Sequence, residues 1–427
     1  MKRAVTLQAG EPPLGRSLRA GARSSRSRLP TILAGGASLL ALFAYYRLLW
    51  GDLPGFAAAI DHCPDLFCDF RLQFYPTGRA LLLGGEPVQG YFYGATFACL
   101  LSLFAITSLP VALWLWGGFQ VAALVALFLG PLRDSRLLDP GRAAVYVLLF
   151  FGSVPILHNL KWGQVSVLLV ASELIAFRLY DRSHKLGAAL LLAIAIAMKF
   201  YPAIFLLYFV LRRDGVFVSV CLGATIALFV LPAAWIGWER AFEFQSAASR
   251  ALVAARDTWI QHDPNSQFLP HVVRRLCGFG SGQGWVLGRS LAYGGCVVLF
   301  LVTLVAVLRG DDSADQAARM LFFLSTPLWV PTSWPHYFCY LPACQWMILN
   351  DLAKPSGRSL AVTVVAGALV SLSVALSSVV ALQVSDGWYR YSSGGAVLMS
   401  DLALTLACCT SLCRFNDAET RAAVNRC

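Results

Sequence analysis

Residues 215–237 read GVFVSVCLGATIALFVLPAAWIG, an apolar run without one charged side chain. A helix that crosses a membrane needs about 20 mostly apolar residues to bridge a hydrocarbon core about 30 Å thick. A helix apolar on every face belongs either in a large core or in lipid. Working outward, comparable runs recur at 30–50, 110–130, 143–157, 164–180, 186–198, 200–212, 285–308, 319–332, 336–350, 359–383 and 395–413. Several are short, so tilt, buried helix ends or local thinning must accommodate them. The chain is 58% hydrophobic and 13% charged, whereas soluble domains are nearer a quarter charged. The expectation is an all-α integral membrane bundle of about 12 spanning helices, which excludes a soluble globular domain.

The organisation follows from the flanks of these runs. Residues 1–29 carry Lys2, Arg3, Arg16, Arg19, Arg23, Arg26 and Arg28 against one acid, Glu11, and read as a basic, disordered cytoplasmic tail. The run that follows is long for a signal peptide and has no small-x-small cleavage site, so it reads as an uncleaved first helix. Residues 30–413 form a single membrane domain, and 414–427 a short cytoplasmic tail. Residues 51–69 are polar and rich in Asp, and 70–86 have the pattern of an amphipathic helix, which can lie in the interface without spanning. This external first loop therefore carries interfacial helices.

Parity bears on segment 91–109, which is apolar enough to span but also fits an interfacial or re-entrant helix. If it does not span, both termini are cytoplasmic, and the connections 131–142, 181–185, 212–214, 309–318 and 351–358 all fall inside, as the positive-inside rule favours. The basic connection 238–284 then lies outside and breaks that rule. Its Arg residues read as a solvated loop or, more sharply, as one or two phosphate ligands. The net charge of +11 is scattered over these connections, which suits orientation and membrane-lipid contact rather than nucleic acid. The 12 Cys sit mostly inside apolar runs and show no metal-ligand spacing. Cys63 and Cys68 lie outside the spans as a candidate pair.

With that topology the polar groups collect on the external side. Asp69, in Cys68-Asp69-Phe70-Arg71, is a candidate general base or, more plainly, an N-cap; the loop's other Asp residues read as solvated. In His158-Asn159-Leu160-Lys161-Trp162-Gly163-Gln164, Asn159 and Gln164 suit hydrogen bonds to sugar or phosphate, or simple end-capping. Lys199-Phe200-Tyr201-Pro202 interrupts an apolar run, with Pro202 able to start a new helix. Lys199 can then meet a lipid phosphate or merely snorkel to the interface. Ser333-Trp334-Pro335-His336-Tyr337 is another bend, where His336 can bind phosphate, position an acceptor or be structural. Ionisable groups this close to lipid are costly and mark candidate sites.

Taken in order, these pieces resemble glycosyltransferase family 87. It is a branch of the GT-C membrane glycosyltransferases whose characterised members use polyprenyl-phosphate-mannose. The resemblance runs from about Asp69 to Tyr340. It rests on Asp69-Phe70 with Tyr75 and Gly78-Arg79-Ala80-Leu81, Asn159-Leu160 with Gly163-Gln164, Lys199-Phe200-Tyr201-Pro202, Asn265-Ser266-Gln267 and Ser333-Trp334-Pro335-His336. The chain departs from the family pattern where no Pro follows Tyr91-Phe92-Tyr93-Gly94, where the order is Asn-Ser-Gln, and where Tyr337 follows His336.

The resemblance implies a GT-C-type bundle in the cytoplasmic membrane with its active site on the extracytoplasmic face. It implies transfer of a hexose, mannose above all, from a polyprenyl-phosphate donor to a lipid or glycan acceptor, with inversion and with Asp69 as the catalytic carboxylate. Lys199, His336 and Lys161 are the candidates for the donor phosphate; Asn159, Gln164, Asn265, Gln267 and Arg79 are those for substrate. No cofactor or metal is expected, and no nucleotide-binding Gly-rich loop is visible, which fits a lipid-linked donor. A secondary transporter or lipid flippase is the alternative, but transporters tend to show internal repeats and midplane sites.

Overall fold

Breaks in the long apolar runs decide the architecture as much as the runs themselves. The computed structural model describes residues 29–412 apart from 62, 135–138, 279–280 and 355–357. Most of both tails therefore lies outside the described residues. The described chain is helical throughout, and its one β-type pairing is an isolated bridge between Ser153 and Ser378.

Five helices are long and apolar enough to cross a membrane on their own: Pro30–Trp50, Leu109–Pro131, Gly215–Ile236, Gly282–Arg309 and Leu360–Ser377. A sixth span is possible if Val154–Trp162 and Ser166–Asp181, bent by 120° at Gly163, count together. The expected dozen is thus not met by length and composition among the described residues. The reason is local, because the chain breaks its helices where it carries polar residues. Lys185–Met198 stops at Lys199, whose backbone is extended, and Pro202 opens the next turn. Asp312–Leu324 gives way at Ser325 to the short helix Thr326–Trp329. Leu360–Ser377 stops at Ser378, and there the Val379 amide donates to the Gly152 carbonyl at 3.0 Å. Broken backbone at membrane depth persists only when such groups find partners.

Segment 91–109 contributes the helix Ala95–Ala105 of 11 residues, about 16 Å long at 1.5 Å per residue, too short to cross alone. It packs on the helix Tyr75–Leu83 through Gly78, where a Cβ would stand 2.7 Å from the backbone of Leu101. The region 238–284 is more ordered than a solvated loop. It folds into Trp238–Thr258 and Leu269–Cys277, and Arg240 and Arg275 serve backbone carbonyls. Arg240 donates to Gly85 O at 2.9 Å, and Arg275 donates to Ser266 O at 2.7 Å and Asp263 O at 3.1 Å.

At one end of the bundle the charged connections meet. Arg319 holds Asp181 and Asp315, Arg212 holds Asp315, and Lys185 holds Asp214. Asp214 also caps the helix Gly215–Ile236 by accepting from the Phe217 amide. The helices that begin or end there run back to Gln164 and Lys199, so the candidate site lies at the opposite end.

Candidate active site

The loop before Asp69 is built to hold one carboxylate in place. Cys63 and Cys68 form a disulfide that closes it. Lys161 is fully buried and donates its ammonium to the carbonyls of Cys63 and, at 2.9 Å, Asp65. The Phe67 amide donates back to Lys161 O at 2.7 Å. The next turn, Phe70–Phe74, is a π-helix, a widened geometry frequent at functional sites. Phe70 and Phe74 pack on Trp116, at centroid separations of 4.7 and 6.0 Å.

Asp69 has right-handed helical φ and ψ and caps nothing with its side chain. The N-cap alternative is therefore removed, since a capping residue is non-helical and spends its side chain on the first amides. The carboxylate instead accepts from the Gln164 amide, while Tyr93 Oη donates to Gln164 Oε1 at 2.7 Å. Gln164 is held by its own backbone: its carbonyl accepts from Gln120 Nε2 at 2.8 Å. Gly163 makes the turn at φ +66°, and a Cβ there would come within 3.0 Å of Phe67 and 3.1 Å of Trp116 Nε1. Trp116 Nε1 donates to Gly163 O at 3.0 Å.

Lys199 places its ammonium 4.0 Å from the ring centre of Tyr337 and 5.1 Å from that of Tyr93. Aromatic faces attract a cation there. Burial raises the Asp69 carboxyl to about 7; the Gln164 hydrogen bond and the charge of Lys199 oppose the rise, and the charge of Asp61 adds to it. Burial lowers Lys199 to about 7, opposed by the charges of Asp69 and Cys339. Asp69 nevertheless keeps some accessible surface. Asp69 and Lys199 each feel the other's charge, and both are poised near neutral pH, where general catalysis works best.

A second cluster adjoins the first. Asp61 was expected in solvent but is 7% exposed, and it accepts from Asn265 Nδ2 at 2.6 Å. His336 and His158 face each other through their Nδ1 atoms at 3.3 Å. Burial, with the charges of Lys199 and His158, holds His336 well below the usual imidazole range, so it is neutral. Gln267 ties Ser333 O to Ser392 O, at 2.7 Å through its backbone amide and 2.9 Å through its side chain. Asn159 spans Gln120, at 3.0 Å, and the Val167 amide, at 3.3 Å. Arg79 stands apart on an exposed face, with its guanidinium 3.4 Å from Tyr75 Oη. Among the described residues no group of three His, Cys, Asp or Glu is placed to hold a metal ion.

Sequence reasoning named Asp69, Gln164, Lys199 and His336, which the fold brings together, but missed Tyr93, Asp61, His158 and Trp388. The position of His158 beside Asn159 was the one available signal. A helical membrane protein that fixes a carboxylate within the field of an ammonium is equipped for group transfer. The model of glycosyltransferase family 87 matches residues 91–331, and the chain belongs to that family.

Two relatives carry the name polyprenol-phosphate-mannose-dependent alpha-(1-2)-phosphatidylinositol mannoside mannosyltransferase. One, from Mycolicibacterium smegmatis, is 28% identical over 200 residues, covering 44% of this chain and 42% of the relative. The other, from Mycobacterium tuberculosis, is 36% identical over 198 residues with the same coverage. The match thus spans 42% of the length of these relatives. No solved structure matches. Asp69 and His336 fall outside the stretch matched by the family model.

Proposed function

We propose that this integral membrane glycosyltransferase transfers mannose from a polyprenyl-phosphate donor to a lipid or glycan acceptor, with inversion, on the extracytoplasmic side of the cytoplasmic membrane. The observation that carries the reading is the Asp69 carboxylate, spent on no cap, held by Gln164 and lying within the field of Lys199. An acceptor hydroxyl attacks C1 of the sugar as the C1–O bond to phosphate breaks. The proton passes to Asp69, and the polyprenyl phosphate leaves with its negative charge. Lys199 stabilises that charge, the kind of fixed electrostatic help that acts where charge develops.

Lys161 is a positioning residue in this account, since its ammonium is engaged by the loop that carries Asp69. Asn159, Gln164 and Gln267 hold the walls of the cleft, and His336 works on the acceptor side. The shorter apolar helices complete a twelve-span bundle with both termini cytoplasmic, the basic tail and the charged end facing the cytoplasm. The names of the two relatives support the donor and a mannosylated glycolipid acceptor.

The test is donor choice by the purified protein in lipid nanodiscs, with a membrane lipid extract as acceptor source. Radiolabelled mannose should move from polyprenyl-phosphate-mannose and not from GDP-mannose. Transfer from the nucleotide sugar alone, or export of a lipid with no new glycosidic bond, would overturn the reading.

A further inference from the structure

The cluster around Asp61 borders a cavity of about 310 Å³ lined by Asp61, Asp263, Pro264, Asn265, Trp388 and Tyr389. We infer that this cavity holds a hydroxyl-rich ring of the acceptor, a sugar or a cyclitol, through two carboxylates and an aromatic wall. This rests on the transferase reading above and adds to it the place and chemistry of the acceptor.

The walls are fixed by hydrogen bonds among themselves. The Asn265 side chain donates to Asp61 Oδ2 at 2.6 Å and accepts from Trp388 Nε1 at 2.7 Å, so its amide orientation is set from both sides. Asp263 accepts from the Asn265 backbone amide at 2.8 Å and from Trp334 Nε1 at 2.8 Å. An ionised carboxylate can accept about four hydrogen bonds, so Asp263 retains acceptor capacity toward the cavity. Arg275 buttresses this wall through Asp263 O and, on the other side, Ser393 O at 3.2 Å. Acceptor-rich rims with flat rings are complementary to a polyol, which offers hydroxyl donors around its edge and C–H faces to aromatic rings. Trp388 is partly buried, and Tyr389 at the mouth is 70% exposed.

A second observation concerns the groups behind Trp388 and Asp61. Trp388 stacks on His158 at 5.0 Å, His158 on His336 at 5.3 Å, and His336 on Trp334 at 6.0 Å. Only one of the two facing Nδ1 atoms can carry a proton when both rings are neutral. His158 Nε2 lies 3.8 Å from Asp61 Oδ2, which favours the proton on that nitrogen. The Nδ1 of His158 is then the acceptor for the Nδ1–H of His336, and His336 is left with a bare Nε2. Both Nε2 atoms are buried and have no hydrogen-bond partner among the described residues. A bare, buried imidazole nitrogen is a site for one hydroxyl proton. The charge of Asp61 reaches Asp69, and that of Lys199 reaches His336, so the cavity and the reacting groups share one field.

Asp263→Asn and Tyr389→Ala test this, the second being a rim change that leaves the buried network intact. With purified protein, the acceptor KM should rise about tenfold for each variant, a loss of about one good hydrogen bond or stacking contact, while the donor KM stays at the wild-type value. Independently of transfer, methyl α-mannoside or myo-inositol should quench tryptophan fluorescence saturably in the wild type, and neither variant should respond in the same range. A response to the mannoside alone assigns a sugar ring, and one to inositol alone assigns a cyclitol; glycerol is the control. Wild-type transfer with unchanged acceptor KM in both variants overturns the inference, as does a quench that survives in both. Saturable quenching in a wild-type protein that transfers no mannose would sustain the cavity and reject the donor assignment.

Discussion

Replacing Lys199 separates the two charges on which the mechanism depends. Burial brings Asp69 up to about 7 and Lys199 down to about 7. Base catalysis needs Asp69 ionised, and stabilising the leaving phosphate needs Lys199 protonated. Treated as independent groups, about a quarter of the molecules hold both states at pH 7, and roughly a twelfth do so one unit to either side. The rate should therefore trace a bell near neutrality, falling about threefold over the first unit and more steeply beyond.

Lys199→Arg keeps its charge at every accessible pH. The alkaline limb should vanish while the acid limb stays near pH 7. Lys199→Met removes a charge that holds the Asp69 carboxyl down, so the acid limb should move to higher pH. Turnover should fall about 100- to 1000-fold, the scale for losing one preorganised group at developing charge. The assay is kcat/KM for the lipid donor from about pH 5.5 to pH 9, with melting followed at each pH. An alkaline limb unchanged in Lys199→Arg, or a flat wild-type profile, would refute the pairing of these two groups.

Gly163→Ala forces a side chain into left-handed backbone at φ +66° and brings a Cβ within 3.0 Å of Phe67. The backbone strain alone is about 1–2 kcal/mol, so the protein should melt lower and turn over more slowly, whereas wild-type melting would contradict the packing described. Lys161→Met strips the carbonyls of Cys63 and Asp65 of their donor; a buried group left unsatisfied costs about 1–3 kcal/mol, and thermal melting should show the loss, with unchanged melting counting against a positioning role. Cys277 is exposed and ends the helix assigned outside. A membrane-impermeant thiol reagent should label it on intact cells and Cys277→Ser should not react there; labelling only after permeabilisation would invert the topology.

The apolar runs were legible because lipid demands length and continuity, and most helix limits fall close to the expected ones. Gly215–Ile236 and Lys185–Met198 are nearly as read. The Lys199-Phe200-Tyr201-Pro202 break was also visible, since an ammonium and a proline inside an apolar run each interrupt a span. The count of spans was not, because whether two half-helices act as one depends on the bend, as with the 120° turn at Gly163. Within the site, the π-turn that frees Asp69 from capping has no local sequence signature. Asp61 and Asp65 looked alike in sequence, yet Asp61 is buried against Asn265 from 204 residues away, whereas Asp65 stays exposed. Such long-range pairing is a property of packing, as is the Lys161 ammonium turned inward to the loop carbonyls.

The most direct measurement is mannose transfer by purified Asp69→Asn in liposomes supplied with polyprenyl-phosphate-mannose and an acceptor lipid extract, with melting recorded beside it. Asn keeps the shape of the side chain and a hydrogen-bonding oxygen for Gln164 but removes the basicity. Raising a carboxyl from 3.8 to about 7 makes its ionised form unfavourable in the folded protein by at most about 4 kcal/mol, less whatever water at its accessible surface screens. That cost sets in as pH climbs above the unfolded value and is complete above about 7. At pH 8 the variant should therefore melt no lower than the wild type, while transfer falls about 100-fold or more. An Asp69→Asn protein that melts normally and transfers mannose near the wild-type rate would contradict the account.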